Sequence, residues 1–306
     1  MSTVKQVKQT NHEQNLIFKK ELRRSNIEVD LILHPSRIPD TKEVNEIISN
    51  GIELEAAAVE NDVRRTLTAI SVQHGKLTDR FTAWEKIHTM EDIKSIIPKE
   101  ILTRVYGNKT KTLQDIKSSL TVMDLTFEEL KYFSSHGNQE LLSFSDYLRI
   151  YAPMASLLSG VPKLAIDLKD LFLSKKVLEV LEEQKLDSNI YVMMERSIDS
   201  FTLTKKFIDG KGKHIPICFL PKKELLITDG VEAFKDHLRS SITDFGVNIF
   251  SININEFSIV NGVISEFNGK DISMIVYIPQ EKFDIKNTIG ILSKNKKAIK
   301  AIQLDN

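Results

Sequence analysis

Cysteine is nearly absent from this sequence of 306 residues, because Cys218 is the only one. A lone cysteine cannot form an intrachain disulfide or a multi-cysteine metal site, which excludes the disulfide-rich secreted proteins. We therefore expect a reducing, intracellular (cytoplasmic) location. Cys218 itself lies in the run HIPICFLP and is interpreted as a small buried hydrophobic residue.

Long hydrophobic runs are missing as well. The apolar stretches are short and broken by Lys, Asp or Glu, and the opening MSTVKQVKQTNHEQ has no apolar segment behind its charges. A membrane span needs about 20 apolar residues, and a signal peptide needs an apolar core. Neither is expected, so the sequence predicts no association with a membrane.

The familiar catalytic motifs are absent too. The sequence contains no GxxxxGK[ST] phosphate loop, no GxGxxG dinucleotide turn, no HExxH, no GxSxG and no calcium loop. The 7 histidines are scattered, and no pair has ligand spacing on one helix face. These absences exclude the enzyme classes that can be recognised from a short motif. We predict neither a cofactor nor a metal site.

Charge is balanced in number but not in position. Lys and Arg total 42 and Asp and Glu total 42, which gives a net charge of zero. Basic residues cluster within 1–25 and within 282–300; the first cluster includes Lys19, Lys20, Arg23 and Arg24. Clustered cations attract phosphate groups such as those of nucleic acids. The alternative is that the basic termini are simply solvated and increase solubility.

The first half of the sequence has the periodicity of helices. Residues 27–33 (IEVDLIL) form the one clear strand pattern there. Thr126 and Glu129 have the spacing of a capping box, and Asp40 or Thr41 can cap a helix that Gly51 ends. Helices are predicted over 41–50, 52–74, 78–87, 90–96, 98–106, 111–120, 126–134 and 163–184.

Four carboxylates lie near the start of the predicted helix 52–74: Glu53, Glu55, Glu60 and Asp62. They raise the question of a metal site. Residues two apart diverge on a helix, so Glu53 and Glu55 could not share an ion. The acidic cluster is interpreted as a helix N-terminus that complements the helix dipole.

Leucine recurs at every seventh position from 157 to 178, as in a leucine zipper. Gly160 and Pro162 interrupt the first interval, so a continuous helix begins only near Lys163. Its wide apolar face indicates packing inside its own domain, with self-association or a protein partner as the alternative.

The pattern changes near Leu186, where short alternating runs replace helical periodicity. Strands are predicted at 191–195, 201–208, 214–220, 224–228 and 247–254, with one helix over 231–245. Asn261-Gly262 and Asn268-Gly269 are strong hairpin turns and predict an antiparallel meander over 257–278. The fold class that follows is α+β: a mainly helical N-terminal domain, 1–186, and a mainly antiparallel β-rich C-terminal domain, 187–306.

One arrangement could support catalysis. Asp199 precedes the predicted strand 201–208, and Asp209 and Lys211 follow it. The order D…DxK occurs in metal-dependent nucleases, where two carboxylates hold Mg²⁺ and a lysine stabilises developing charge. A hairpin turn explains the same residues, and a strand would hold the two aspartates at opposite ends.

The predicted hairpin 205–223 is rich in lysine, including Lys205, Lys206, Lys211 and Lys213. Such a hairpin could contact phosphates or could simply be solvated. Together with the basic termini, it predicts a non-enzymatic binding or assembly protein that engages nucleic acid or a protein partner. A metal-dependent nuclease using Asp199, Asp209 and Lys211 is the alternative.

Overall fold

Nine β-strands lie within the part of the chain that the structure, a computed structural model, describes: residues 2–35, 40–73, 81–107, 109, 111–295 and 297–305. In chain order they are β1 (Asp30–His34), β2 (Ala58–Arg65), β3 (Ile70–Val72), β4 (Lys163–Leu168), β5 (Ile190–Glu195), β6 (Ile217–Phe219), β7 (Ile249–Asn253), β8 (Ser273–Ile278) and β9 (Ile299–Asp305).

All of these strands except β3 are parallel, and they close into a barrel. The order around the barrel is β1-β2-β4-β5-β6-β7-β8-β9. β1 pairs with β2 on one side and with β9 on the other, and these pairings complete the ring. The short β3 runs antiparallel to β2. This topology is that of a (β/α)8 barrel.

Helices surround the barrel. They are α1 (Ser2–Arg24), α2 (Thr41–Glu53), α3 (Met90–Ile96), α4 (Lys99–Tyr106), α5 (Leu113–Ser119), α6 (Phe127–Ser135), α7 (Phe144–Leu157), α8 (Ser174–Glu183), α9 (Ile198–Gly210), α10 (Glu224–Thr228), α11 (Gly230–Thr243), α12 (Phe257–Glu266) and α13 (Ile285–Lys294). α1 packs beside α13. Within the described ranges, no helix combines the length and the apolar character that crossing a bilayer requires.

Each barrel strand is buried on both faces. One set of alternate residues packs against the helices in the main core. The other set fills the barrel interior with mostly small and branched side chains: Ile32, Ala58, Ala165, Val192, Met194, Cys218, Ile249, Ile275 and Ala301. Cys218 is fully buried there, as predicted. Two positions further along the same strands, these interior-facing positions become polar, as at His34, Glu60 and Asp167.

A helical insertion, residues 81–141, separates β3 from α7. It contains α3 to α6 and has its own hydrophobic core, which includes Trp84 and Phe133. The insertion is attached to the β2–β3 hairpin, because the backbone N–H of Leu67 donates to the Leu125 carbonyl at 2.8 Å. It therefore lies near the carboxyl end of β2.

The predicted fold class is wrong. β1, β2 and β4 precede residue 186 and the remaining parallel strands follow it, so there is no helical domain followed by an antiparallel one in the described chain. The boundary predicted near Leu186 falls between β4 and β5, which pair directly. Strands buried on both faces lack the polar and apolar alternation from which strands are recognised, and this misled the prediction for the first half.

Several predicted elements are replaced by others. The part of the predicted helix 52–74 that is described contains β2 and β3, and the predicted helix 163–184 contains β4 and α8. The predicted strands 201–208 and 224–228 are helices α9 and α10, and the meander 257–278 consists of α12 and β8. The predicted hairpin 205–223 therefore does not exist: its first half is α9, and β6 pairs in parallel with β5.

Predictions based on local capping signals are confirmed. Thr126 and Glu129 form the capping box of α6, and Asp40 forms one with Glu43 at α2. Helices α3, α4 and α5 lie within one or two residues of the predicted ranges. Most of the predicted helix 78–87 falls outside the described residues or forms a 3-10 turn, Thr82–Lys86. The strand pattern at 27–33 becomes β1.

Gly262 gives a direct test of this revised local structure. It lies in the interior of α12, and among the described residues no heavy atom would lie within 4 Å of an added Cβ. Gly262→Ala is therefore expected to raise the free energy of unfolding by about 0.5–1 kcal/mol, because alanine is the better helix former. Gly269 has a φ of +91°, so Gly269→Ala should instead be destabilising. Urea denaturation of both variants checks this, and a destabilised Gly262→Ala would contradict it.

Candidate active site

Polar side chains gather where the barrel strands end. In (β/α)8 barrel enzymes, this carboxyl end carries the active site. The interior-facing residues there are His34 of β1, Glu60 and Asp62 of β2, Asp167 of β4 with Lys169 after it, Arg196 after β5, Asn253 of β7, Tyr277 of β8, and Gln303 and Asp305 of β9. Most of these side chains are buried or half-buried, so they face one another rather than bulk water.

His34, Glu60 and Asp62 converge on one point. Nε2 of His34 lies 4.0 Å from Glu60 Oε2 and 4.0 Å from Asp62 Oδ2. One ligand atom from each residue lies within 4.8 Å of the other two. Glu60 and Asp62 share this face because residues two apart on a strand point to the same side.

Asp305 orients the His34 ring. Nδ1 of His34 lies 2.9 Å from Asp305 Oδ1. Asp305 also accepts a hydrogen bond from the hydroxyl of Tyr277 at 3.2 Å and one from the backbone N–H of Gln280 at 3.1 Å. A carboxylate on Nδ1 assigns the proton to that nitrogen and directs Nε2 towards Glu60 and Asp62.

The electrostatics of the cluster favour an added positive charge. Burial opposes protonation of His34, but the carboxylates of Glu60, Asp305 and Asp62 outweigh it and raise the pKa of His34 to about 9. Burial raises the pKa of Glu60, and the nearby charges of Asp62 and Asp167 raise it further, against the effect of His34. The cluster thus holds a proton more tightly than separate groups would, as crowded carboxylates do.

Lys169 and Arg196 supply positive charge beside these carboxylates. Nζ of Lys169 lies 2.7 Å from Asp62 Oδ1 and also contacts Asp167. Nε of Arg196 donates to Asp167 Oδ1 at 3.1 Å, and a second guanidinium N–H donates to Oδ2. Asp167 is fully buried, which raises its pKa, but the two cations outweigh burial and hold that pKa well below its usual range. Asp167 therefore stays ionised and fixes both cations.

A cavity of about 500 Å³ opens above these groups. This volume lies within the range of small-molecule sites in proteins. Its walls come from strand ends around the barrel, and its polar side chains include Lys169, Arg196, Lys222, Lys223, Asn253 and Tyr277.

The residues at the base of the cavity fit a divalent cation. An imidazole nitrogen and two carboxylates are ligands that Mg²⁺, Mn²⁺, Ca²⁺ and Zn²⁺ accept in proteins. The side chain of Gln303 donates to Glu60 Oε2, while its buried Oε1 has no hydrogen-bond partner among the described residues. Asp167, whose charge is felt at Glu60, adds a further carboxylate nearby.

The aspartates predicted as nuclease ligands do not lie in this site. Asp199 is in the first turn of α9 and Asp209 is near its end, and both are exposed. Ten residues of helix separate them by about 15 Å, too far for one metal ion. Lys211 follows the same helix and forms an ion pair with Glu182 at 2.7 Å. The structure thus gives this arrangement no shared cavity.

Many of the basic residues predicted to contact phosphate have acidic partners. Lys19 and Arg23 contact Glu55, and Arg24 contacts Glu21. On α9 and the loop after it, Lys205 pairs with Asp209 at 3.2 Å, and Lys213 pairs with Asp187 and Glu182 at 2.8 Å each. The other two, Lys20 and Lys206, are exposed. These pairs offset much of the positive charge on which the nucleic-acid prediction rested.

Sequence reasoning missed the residues that the structure brings together. Glu60 and Asp62 were interpreted as the acidic start of a helix, and His34 as one of several scattered histidines. A signal was present: AAAVEND, LAIDLK and IYVMMER each place charged residues at the end of a short apolar segment. Three such segments ending in charge indicate strands of a parallel sheet whose carboxyl ends form one site.

Comparison with known proteins identifies similar folds. No protein-family model and no curated protein matches the chain. The chain is similar to the crystal structure of a glycerophosphodiester phosphodiesterase from Parabacteroides distasonis, with a TM-score of 0.55 and 13% identity over 91% of this chain and 93% of that one. It is also similar to a putative glycerophosphoryl diester phosphodiesterase from Agrobacterium tumefaciens, with a TM-score of 0.53 and 12% identity over 90% and 93% of the two chains.

At this level of identity the similarity shows a shared fold. Together with the site, it contradicts the prediction of a non-enzymatic nucleic-acid-binding or assembly protein. One similar structure is a glycerophosphodiester phosphodiesterase and the other a putative one, and in this chain a cluster of charged side chains lines a cavity at the barrel mouth. The comparisons support the parallel barrel fold. The candidate active site at its carboxyl end rests on the geometry of this chain.

Proposed function

We propose that this protein is a metal-dependent phosphodiesterase that hydrolyses a small glycerophosphodiester. The observation that carries the proposal is the convergence of His34, Glu60 and Asp62 beside Lys169 and Arg196. Acidic ligands next to fixed cations suit a reaction in which an anionic phosphoryl group meets a metal ion. The activity named for the two similar structures supports the choice of substrate class.

His34, Glu60 and Asp62 would hold the cation, with Asp167 or Gln303 Oε1 as further ligands. When bound, a divalent cation there would supply Lewis-acid polarisation of the phosphoryl group and a bound water of lowered pKa. Asp305 keeps His34 Nε2 directed at the cluster, as carboxylates behind metal-bound histidines do.

Lys169 and Arg196 would bind the non-bridging oxygens of the phosphodiester. Their ammonium and guanidinium groups are held by Asp167, so they are already placed before substrate arrives. Charges fixed in this way stabilise a transition state without reorganising during the reaction. The apolar layer beneath the site excludes water from the barrel interior.

Hydrolysis by the purified protein tests the proposal. The protein is treated with a chelator, resupplied with Mg²⁺, Mn²⁺ or Ca²⁺, and assayed with bis(p-nitrophenyl) phosphate and with glycerophosphoethanolamine. We expect cation-dependent release of nitrophenol and of glycerol 3-phosphate or ethanolamine phosphate. The proposal fails if no cation stimulates cleavage of either diester.

We further infer an intracellular location. Cys218 is a free cysteine and is buried in the barrel interior. An unpaired thiol is ordinary in a reducing compartment, which supports this inference.

A further inference from the structure

One wall of the cavity carries two lysines whose ammonium groups have no partner among the described residues. Lys222 and Lys223 lie in the loop after β6 and line the cavity. Their backbone carbonyls accept the N–H groups of Leu225 and Leu226 at 3.1 Å each, but neither ammonium group forms a hydrogen bond or ion pair with a residue in the described ranges. The charge of Lys222 is also felt outside the strands: burial lowers the pKa of His237 on α11, and the nearby Lys222 lowers it further.

The acidic residues on the same wall form no ion pair with these lysines in the described part of the chain. Glu256 uses its carboxylate to accept the backbone N–H of Asn253 at 2.7 Å, as part of a capping box. Glu224 also lines the cavity but contacts neither lysine within ion-pair distance. Arg196, which directly follows β5 next to this wall, is 42% exposed and has donors beyond the two that bind Asp167.

Charge is therefore distributed unevenly across the cavity. The carboxylates of Glu60 and Asp62 lie on β2, whereas cations follow in order around the barrel, with Lys169 after β4, Arg196 after β5 and Lys222 after β6. A phosphodiester bound between the metal ligands and Lys169 would direct one of its two alcohol groups towards Lys222 and Lys223. Unpaired cations in a concave site raise the local concentration of anions.

We propose that the alcohol group bound by this wall carries a second anionic group, such as a phosphate monoester. The proposal rests on the phosphodiesterase function and specifies its substrate class. Lysine ammonium groups suit a phosphate because they bind it as point charges without a fixed orientation. Lys222 and Lys223 then determine specificity and take no part in bond cleavage.

The test compares two diesters that differ by one phosphate, glycerophosphoinositol and glycerophosphoinositol 4-phosphate. We expect the wild-type protein to have a kcat/KM roughly tenfold higher for the phosphorylated diester. Replacing both lysines (Lys222→Gln with Lys223→Gln) should reduce that preference to less than about twofold, mainly by raising KM for the phosphorylated diester, with little change for the diester that lacks the second phosphate.

Lys175→Gln with Lys176→Gln is the matched control. These two lysines are also adjacent and exposed, but they lie on α8 and do not line the cavity. The control variant should keep the wild-type preference. Equal rates on the two diesters in the wild type, or a preference that survives in Lys222→Gln with Lys223→Gln, would overturn the proposal while leaving the phosphodiesterase function intact.

A binding measurement separates the two claims if neither diester is cleaved. Calorimetry with fructose 6-phosphate and fructose 1,6-bisphosphate then tests the second anion site by itself. Tighter binding of the bisphosphate to the wild type, lost in the double Lys222 and Lys223 variant, supports the site. Equal affinities, or a preference unchanged in that variant, reject it.

Discussion

Glu60→Gln is expected to lower kcat/KM for a phosphodiester by on the order of 10³-fold and to weaken metal binding in parallel. The substitution keeps the shape of the side chain and removes one of the two carboxylates that face His34 Nε2. A neutral amide oxygen is a poorer ligand for a divalent cation than a carboxylate. Calorimetric titration with Mn²⁺ and steady-state kinetics measure the two effects.

The fold should tolerate this change. Burial disfavours the charged form of Glu60 and raises its pKa. A neutral glutamine at this position therefore avoids the cost of burying a charged carboxylate. Glu224→Gln is the control, because Glu224 lines the same cavity away from the metal ligands. We expect it to change kcat/KM by less than about threefold. Wild-type metal affinity in Glu60→Gln would show that the cluster is not a metal site.

Glu195→Gln is expected to stabilise the protein above neutral pH. Glu195 is 1% exposed and faces the helices, where its Oε1 accepts a hydrogen bond from the Thr204 hydroxyl. Burial raises the pKa of Glu195 to about 7, although the bond from Thr204 lowers it and the charge of Asp167 raises it again. The ordinary glutamate value is 4.5, so the folded protein binds this proton more tightly than the unfolded chain does.

The raised pKa of Glu195 makes the free energy of unfolding depend on pH. Its contribution is fully present below pH 4.5 and is lost as the pH rises to about 7; above that pH, Glu195 causes no further change. The loss is on the order of 3 kcal/mol. Glutamine does not titrate, so Glu195→Gln should match the wild type near pH 4 and exceed it by up to that amount at pH 8.

Urea denaturation at several pH values measures the difference between the two proteins. Glu183→Gln, at an exposed position of α8, should give a difference that does not depend on pH. A constant difference between Glu195→Gln and the wild type from pH 4 to pH 8 would mean that Glu195 is not held neutral by burial.

Elements fixed by neighbouring residues could be predicted from the sequence. The capping box of Thr126 and Glu129 and the glycine that follows α11, Gly246 with a φ of +68°, act within one turn of chain. Their effect does not depend on the rest of the fold. These helices were accordingly predicted close to their observed ends.

Elements that depend on distant packing were mispredicted. Asn261-Gly262 favours a hairpin turn by itself, but Phe257, Val260 and Val263 are buried on one face of α12. Burial of these side chains outweighs a local turn preference of about 1 kcal/mol. The Leu164 and Leu178 spacing suggested one helix, whereas the first lies in β4 and the second in α8.

The candidate site could not be predicted from the sequence for a similar reason. His34 and Asp305 are 271 residues apart in sequence, and Gln303 and Glu60 are 243 apart. No local pattern links residues over such distances, and only closure of the barrel brings them together. The charged residues at the strand ends would have indicated part of the site. They would not have indicated its geometry.

The pairing of β1 with β9 gives the site a particular place in the folding of the chain. β1 carries His34 near the beginning of the sequence, and β9 carries its orienting Asp305 near the end. β1 can pair with β9 only after more than 260 intervening residues have been synthesised, and such long loop closure is slow. The candidate metal ligand His34 therefore gains its orienting carboxylate only when β9 joins β1 and the barrel closes.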